Sequence, residues 1–412
     1  MHQHQNALAF QAMDELANLH DPTHFNKKKR YCLMRHFKTQ MRSGLVLVLV
    51  ALMLSFVAEA TELVIGQAAP LTGPEATLGR SYSAGLQLAL SHANAAGGVN
   101  GHTFALAVKD DRSMPAETIA ATRQLLAESR PLVLAGYFGD ANLAELIKTR
   151  LLETENIALV GYRINEMRAQ APLVYNVRAG LLDEVSKMVE HLATVGITKL
   201  GFFYQDGPPS AALVTAVEEM AKSKNARLVV KGFHAAGTTK VTSEIIDAFI
   251  AAAPQAIILV SSSPATGAFI EKYRATGGAA QLLAHSSVDI EQISRRLGEE
   301  HMRGVAITQV TPSPYKISGK LTKTFVDLAA KRVDQTVPVS YAMMEGYIVG
   351  ALIVESARRM GPKISREGFV KALEGIDNYD LGGYKLGFRP NQQSGSRFVE
   401  MTIVTSTGRI RQ

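Results

Sequence analysis

The chain has 412 residues, room for two domains of ordinary size, and at 47% hydrophobic and 20% charged it is globular and not disordered. Its net charge of +7 is partly local, because the first sixty residues hold seven basic and four acidic side chains; the +4 left for the rest is too diffuse to argue for nucleic acid. The single cysteine, Cys32, sits in the same leader, so a chain without the leader has no disulfide, no cysteine-ligated metal and no thiol nucleophile.

The first element is an apolar run of thirteen, Leu45 to Val57, broken only by Ser55. Arg42 precedes it and Ala58-Glu59-Ala60 follows. A basic segment, an apolar stretch and a small-x-small site read as a secretory signal cleaved after Ala60; an uncleaved anchor is the alternative, although the run is shorter than the roughly 20 residues of a membrane span. No cysteine stands at the cleavage point for a lipid anchor. The polar stretch before Met41 is long for such a signal, so translation is expected to start at Met34 or Met41. Its histidines read as part of an unstructured leader and not as metal ligands.

From Thr61 onward short apolar strands alternate with amphipathic helices. Strands are predicted over 62–67, 103–108, 132–135, 157–160 and 173–177, and helices over 81–95, 115–128 and 142–152. Gly97-Gly98 closes the first helix, and Pro115 opens the second. The pattern then restarts, with helices over 183–195, 211–223, 241–252 and 264–275 and strands over 199–204, 227–231, 255–260 and 281–284. Two such blocks imply an α/β protein of two lobes, each a mostly parallel sheet flanked by helices. Ligands of open α/β sheets bind beyond the carboxyl ends of the strands, here between the lobes. The last third is more helical, over 321–331 and 341–360, with Ser340 as a cap for the second helix. The tail segments 385–388 and 397–405 alternate like paired strands.

Several motifs in order carry a family likeness. Ile65 to Pro74 (IGQAAPLTGP), Asn94 to Gly101 (NAAGGVNG), Asp110-Asp111, Gly201 to Asp206 (GFFYQD), Ile307 to Pro314 (ITQVTPSP), Glu345-Gly346-Tyr347, Leu381-Gly382-Gly383 and Gly408-Arg409-Ile410 span nearly the whole of 61–412. In that order the chain resembles the leucine/isoleucine/valine-binding protein family, the substrate-binding components of ABC importers. The resemblance implies a two-lobed type I periplasmic-binding fold with three hinge crossovers, near Arg178, Gln309 and Leu381. Lobe one would comprise 61–178 plus 310–380, and lobe two 179–309 plus 381–412, after the 1–60 leader. It further implies a periplasmic location, a small-molecule ligand and an ABC permease of the inner membrane as partners, with no cofactor, no metal and no nucleic acid.

The same resemblance places the ligand against the loops after the third and fourth strands of lobe one. The first is 136–142, which contributes Tyr137, Gly139, Asp140 and Ala141; the second is 161–165, which contributes Gly161, Tyr162, Arg163 and Asn165. Asp140 stands where amino-acid binders have a serine or threonine donor, and an ionised aspartate cannot donate to a carboxylate. Arg163 stands at a position that is small in those binders. It either clamps an anionic ligand group or pairs with Asp140. Asn165 replaces a threonine and keeps a donor. Leu78 lines the mouth or packs at a helix start. Lobe two contributes Tyr204, Asp206 and Ser287. Pro209 and Ser210 replace the family's stacking aromatic and glycine, and Ser286-Ser287 replace the carboxylate that meets a ligand ammonium. At least one of Tyr137, Phe138, Tyr162 and Tyr204 is expected to touch the ligand. The altered loops argue against a leucine-like zwitterion and leave an amino acid, an amide or a related compound.

Rival readings find less support. The histidines after residue 60 form no metal-spaced pair, no Gly-x-Ser-x-Gly elbow occurs, and Asp110-Asp111 is read as a strand end and not as an acid–base pair. Enzymatic chemistry, hydrolysis included, is therefore not expected. A repressor would need a helix-turn-helix where the signal stands. A periplasmic sensor for a membrane receptor has the same sequence pattern as a transport component.

Overall fold

A computed structural model describes residues 61–164, 171–207, 209–235, 238–332, 335–389, 393–405 and 410–411. The signal segment, its cleavage site and Asn165 lie outside the described residues. Among the described residues no helix is long and apolar enough to cross a membrane.

The first lobe is built on β1 (Glu62–Ala69), β2 (Thr103–Asp110), β3 (Val133–Phe138), β4 (Leu159–Arg163) and β5 (Val174–Tyr175). They form one parallel sheet in the order β2-β1-β3-β4-β5. Between them run α1 (Ala76–Ala95), α2 (Pro115–Glu128), α3 (Asp140–Lys148) and the single turn α4 (Leu151–Thr154). The sheet has apolar residues on both faces because both are covered.

The second lobe contains α5 (Leu181–Thr194), β6 (Lys199–Asp206), α6 (Ser210–Ser223), β7 (Arg227–Ala235), α7 (Ser243–Ala252), β8 (Ala256–Val260), α8 (Ser263–Ala275), β9 (Gln281–Ala284), α9 (Ile290–Met302) and β10 (Ala306–Gln309). The chain then returns to the first core with α10 (Lys320–Lys331), α11 (Tyr341–Met360) and α12 (Arg366–Glu374), followed by β11 (Tyr379–Asp380) and β12 (Lys385–Leu386). It finishes with β13 (Glu400–Val404) and β14 (Ile410–Arg411). The second sheet has the order β14-β13-β10-β9-β8-β6-β7, parallel from β10 to β7 and antiparallel at β13 and β14.

The two predicted tail strands are not each other's partners. Lys385 pairs with Asp380 in a separate hairpin, whereas β13 pairs with β10. Leu386 and Phe388 are buried in the first core. The third crossover, expected near Leu381, therefore falls between Phe388 and Glu400. The predicted helix 142–152 is two pieces, because Arg150 turns left-handed at φ +54°. Ser340 caps α11 as its sequence implies, its Oγ accepting from the Met343 amide at 3.2 Å.

Two features position the cleft. The first is the packing of α11 on α1, where the backbones nearly touch. A methyl group on Gly85 would lie 2.0 Å from the Met343 carbonyl oxygen, and one on Gly346 2.1 Å from that of Tyr82. The second is the hinge. Tyr384 is 1% exposed, and its hydroxyl lies 2.7 Å from the Val177 carbonyl and 2.9 Å from that of Val310, sharing its one proton between two crossovers from the approach to the third. Beside it the Gly395 amide donates to the Asn176 carbonyl at 2.7 Å.

Candidate functional site

The strand order reverses between β1 and β3 in the first lobe and between β6 and β8 in the second, and the crevices at such switch points are where these folds bind ligands. The loop after β1 is fastened by Asp110, which accepts from the Leu71 amide at 2.9 Å and the Thr72 hydroxyl at 2.6 Å. Burial opposes the charge of Asp110, but these hydrogen bonds hold its carboxyl below the usual range. Its neighbour Asp111 takes the Ser113 amide and the Thr118 hydroxyl. Both aspartates are thus spent on loop structure. The fastened loop delivers Glu75 to the start of α1. After β3, Gly139 at φ +88° turns the chain so that Asp140 opens α3.

Deeper in, a buried ionic network joins the lobes. Arg163, at the end of β4, donates from Nη1 to Glu345 Oε2 of α11 at 2.6 Å and from Nη2 to the Ser286 carbonyl of the second lobe at 2.5 Å. Arg178, on the first crossover, donates to Glu184 of α5 at 3.2 Å and to Ser286 Oγ, and lies 3.7 Å from Glu345. Glu184 in turn accepts from the Ser286 amide at 2.8 Å and the Thr308 hydroxyl at 2.5 Å. Every polar atom of Ser286 is therefore engaged. Burial works against the charge of Arg178, yet Glu345 and Glu184 hold its pKa above the ordinary value. Ser287 adds a second bridge, its Oγ donating to the Ile164 carbonyl at 2.9 Å. Beside the network the imidazole of His285 is pushed down to about 4 by burial, so it is neutral at pH 7.

Carboxylates of both lobes interact with Arg163: Glu345 pairs with it, and Glu75 and Asp289 feel its charge. Burial, followed by the charge of Asp140, raises Glu75 to about 7; Arg163 opposes this, and Asp111 and Asp289 add to it. Burial also raises Asp289, which caps α9 by accepting from the Gln292 amide at 2.9 Å. Asp140 meets Gln205 Nε2 of the second lobe at 3.5 Å. Farther along α9, Glu291 accepts from the Tyr315 hydroxyl and the Tyr341 amide, both at 3.0 Å, which ties the second lobe to the start of α11.

The structure sorts the residues expected from sequence. Arg163 closes β4, Asp140 opens α3 and Ser287 follows β9, so the three stand beyond strand ends of the two lobes, with Arg163 in an ion pair. Its partner is Glu345, which neither of the two expectations for it included. Tyr137 is fully buried in the outer core with its hydroxyl 2.9 Å from Thr122 Oγ1, so it is packing and not cleft lining. Phe138 stacks edge-on against Tyr82 in the inner core. Leu78 is 4% exposed in that core, in line with helix-start packing. Gly161 is a packing glycine too, since a methyl there would lie 2.4 Å from the Tyr82 hydroxyl. Ala141 is exposed, Tyr162 is partly exposed, and Tyr204 stacks on Phe202. Asp206 is held by the Ser210 hydroxyl at 2.7 Å. The residues that the sequence left out are Glu75, Glu184, Asp289 and Glu345. Glu345 had a signal, a lone acid on an otherwise apolar helix face.

Among the described residues no group of histidine, cysteine, aspartate and glutamate side chains is arranged to hold a metal ion. Comparison with known proteins agrees with the fold. A Ralstonia solanacearum substrate-binding periplasmic protein superposes with a TM-score of 0.78 at 30% identity, covering 84% of this chain and 99% of that one. A protein of Rhodopirellula baltica described as a possible leucine/isoleucine/valine-binding protein gives 0.75 at 25% identity, covering 86% and 96%. In sequence, a Pseudomonas aeruginosa amino acid binding protein is 31% identical over 102 residues, 24% of this chain and 27% of its own length. That match spans about a quarter of the relative. The profile that describes the periplasmic binding protein family matches residues 62–409. These relatives bind solutes and are not enzymes; on the extent of that match, the chain belongs to the periplasmic binding protein family.

Proposed function

We propose that the chain works outside the cytoplasm, after cleavage of its signal at Ala60, as the solute receptor of an ABC importer, and that its solute carries a positive charge. The family supports solute binding and an extracytoplasmic location. The observation that carries the ligand class is the charge of the cleft. Glu75 from one lobe and Asp289 from the other both feel the charge of Arg163, Asp140 acts on Glu75, and the charge of Arg163 is itself matched by Glu345 at 2.6 Å. Burial holds Glu75 and Asp289 toward the neutral form, and an ammonium or guanidinium beside them would draw off those protons and pair with the carboxylates, whereas an added carboxylate would meet repulsion. A small polyamine or the amide of a basic amino acid fits that requirement in full, whereas a free basic amino acid fits it through its side chain and brings one carboxylate with it. Delivery to an inner-membrane permease follows the usual role of such receptors.

The test is a thermal-shift series with lysine, arginine, agmatine and putrescine against glutamate, benzoate and leucine. A solute at about a hundred times its Kd adds about 2.7 kcal/mol to stability, an easily read shift. The expected result is stabilisation by at least one cation and by no anion. Stabilisation by an anion or by leucine alone would reverse the assignment.

A further inference from the structure

We infer that Glu345, buried on α11, decides the sign of the charge that the cleft accepts by matching the charge of Arg163; this rests on the cationic-solute reading above and deepens it. Arg163 ends β4 and Glu345 lies in the second turn of α11, both in the first lobe, so their 2.6 Å ion pair does not depend on how the lobes are disposed. The two side chains are 4% and 1% exposed. Little water screens them, and charges there act at an effective dielectric constant of about 20, well below that of bulk water. The buried charges then balance. Arg178 has Glu184 at 3.2 Å, and Arg163 has Glu345. Glu345 also lies 3.7 Å from Arg178, so it is the acid that both guanidiniums share. The field of Arg163 reaches Glu75 of its own lobe and Asp289 of the other. Without Glu345 a full positive charge would act on those carboxyls and on the solute. With it they meet a dipole, whose field fades faster with distance. The rest of the buried face of α11 offers no substitute, because Met343, Met344, Tyr347, Ile348 and Val349 carry no charge that could match a guanidinium.

Glu345 is a positioning residue in this scheme, since it acts on the solute only through the charge of Arg163. The experiment is a double-mutant cycle read by titration calorimetry on the full chain, with agmatine and putrescine as cations and succinate and benzoate as anions. The readout is the ratio of cation to anion affinity, which a change in stability or in lobe closure alone does not move. Glu345→Gln keeps the shape and strips the charge. It should lower the ratio about tenfold, the scale of one unmatched charge about 10 Å away at that dielectric constant. Arg163→Met should raise the ratio, and the two substitutions together, which remove the pair whole, should restore the parent's ratio. An unchanged ratio in Glu345→Gln, or a double variant that keeps the single variant's ratio, overturns the inference. If circular dichroism shows Glu345→Gln unfolded, the step from Arg163→Met to the double variant removes the same charge with no guanidinium left unmatched at Arg163, and an unchanged ratio there overturns the inference as well. A parent that prefers the anions overturns the cationic reading instead, and the fall in ratio on removing Glu345 still decides this one.

Discussion

Glu75 enters α1 with a carboxyl that burial, Asp140, Asp111 and Asp289 all push toward the neutral form, and only Arg163 opposes them. An acid whose folded pKa, about 7, stands above its ordinary 4.5 binds its proton more tightly in the folded state. Its contribution to stability is therefore full below pH 4.5 and is lost as pH rises toward 7. The full shift would correspond to about 3 kcal/mol, and because Glu75 keeps some contact with water about 1–2 kcal/mol is a fairer figure. Glu75→Gln should thus raise the melting temperature at pH 8 and leave it nearly unchanged at pH 5. For a cationic solute the sign reverses. Affinity should increase as pH rises through 7, with a proton released on binding, and the glutamine variant should lose that pH dependence. Calorimetry in buffers of different ionisation enthalpy counts the proton; a wild-type protein that takes one up would contradict the scheme.

Between elements the most exacting contact is α1 against α11. Gly346→Ala gains helix propensity worth about 1 kcal/mol, yet its methyl would meet the Tyr82 backbone at 2.1 Å, and overpacking of that kind costs about 1–3 kcal/mol or more. A net loss of about 2 kcal/mol by urea denaturation is expected, and a neutral result would mean that the helices separate easily. Element by element, the sequence was read well where periodicity is dense. Pro115–Glu128 and Tyr341–Met360 match the predicted bounds, and the alternation of strand and helix carried over to both sheets. It was read poorly where few apolar residues are buried. In α9 only Ile290, Ile293 and Met302 are buried, which is too sparse a stripe to recognise as a helix. The site shows the same division. Arg163 and Asp140 could be placed on strand-end loops, because loops follow strands. The pairing of Arg163 with a residue 182 positions away could not, because nothing local to either residue encodes it. Tyr137 illustrates the converse error. An aromatic residue at a strand end faces either side of the sheet, and here alternation sends it to the helix layer.

Across the whole molecule, one buried phenol oversees the hinge. Tyr384 contacts two crossover carbonyls from the approach to the third, so Tyr384→Phe removes a hydrogen bond and leaves buried carbonyls unmatched. A loss of about 1–2 kcal/mol is expected, together with a broader spread of lobe-to-lobe distances between spin labels placed one in each lobe. A variant with the parent's stability and spread would show that the crossovers need no such fastening.

The return of the chain to its first core after completing the parallel part of the second sheet also sets an order of assembly. A polypeptide emerging from its amino end would have the five-stranded sheet and its first helices by residue 175, but not α10, α11 and α12, which cover one face of that sheet. The parallel strands and helices of the second lobe, 181–309, come next and need only β13 and β14 to cover the outer edge of β10. Most of the second lobe's core is therefore in hand before the first can close, although β13 and β14 arrive last. The lobe that begins first must wait, with an apolar face open, until about residue 388 has arrived. Such late, long-range closure makes for slow folding.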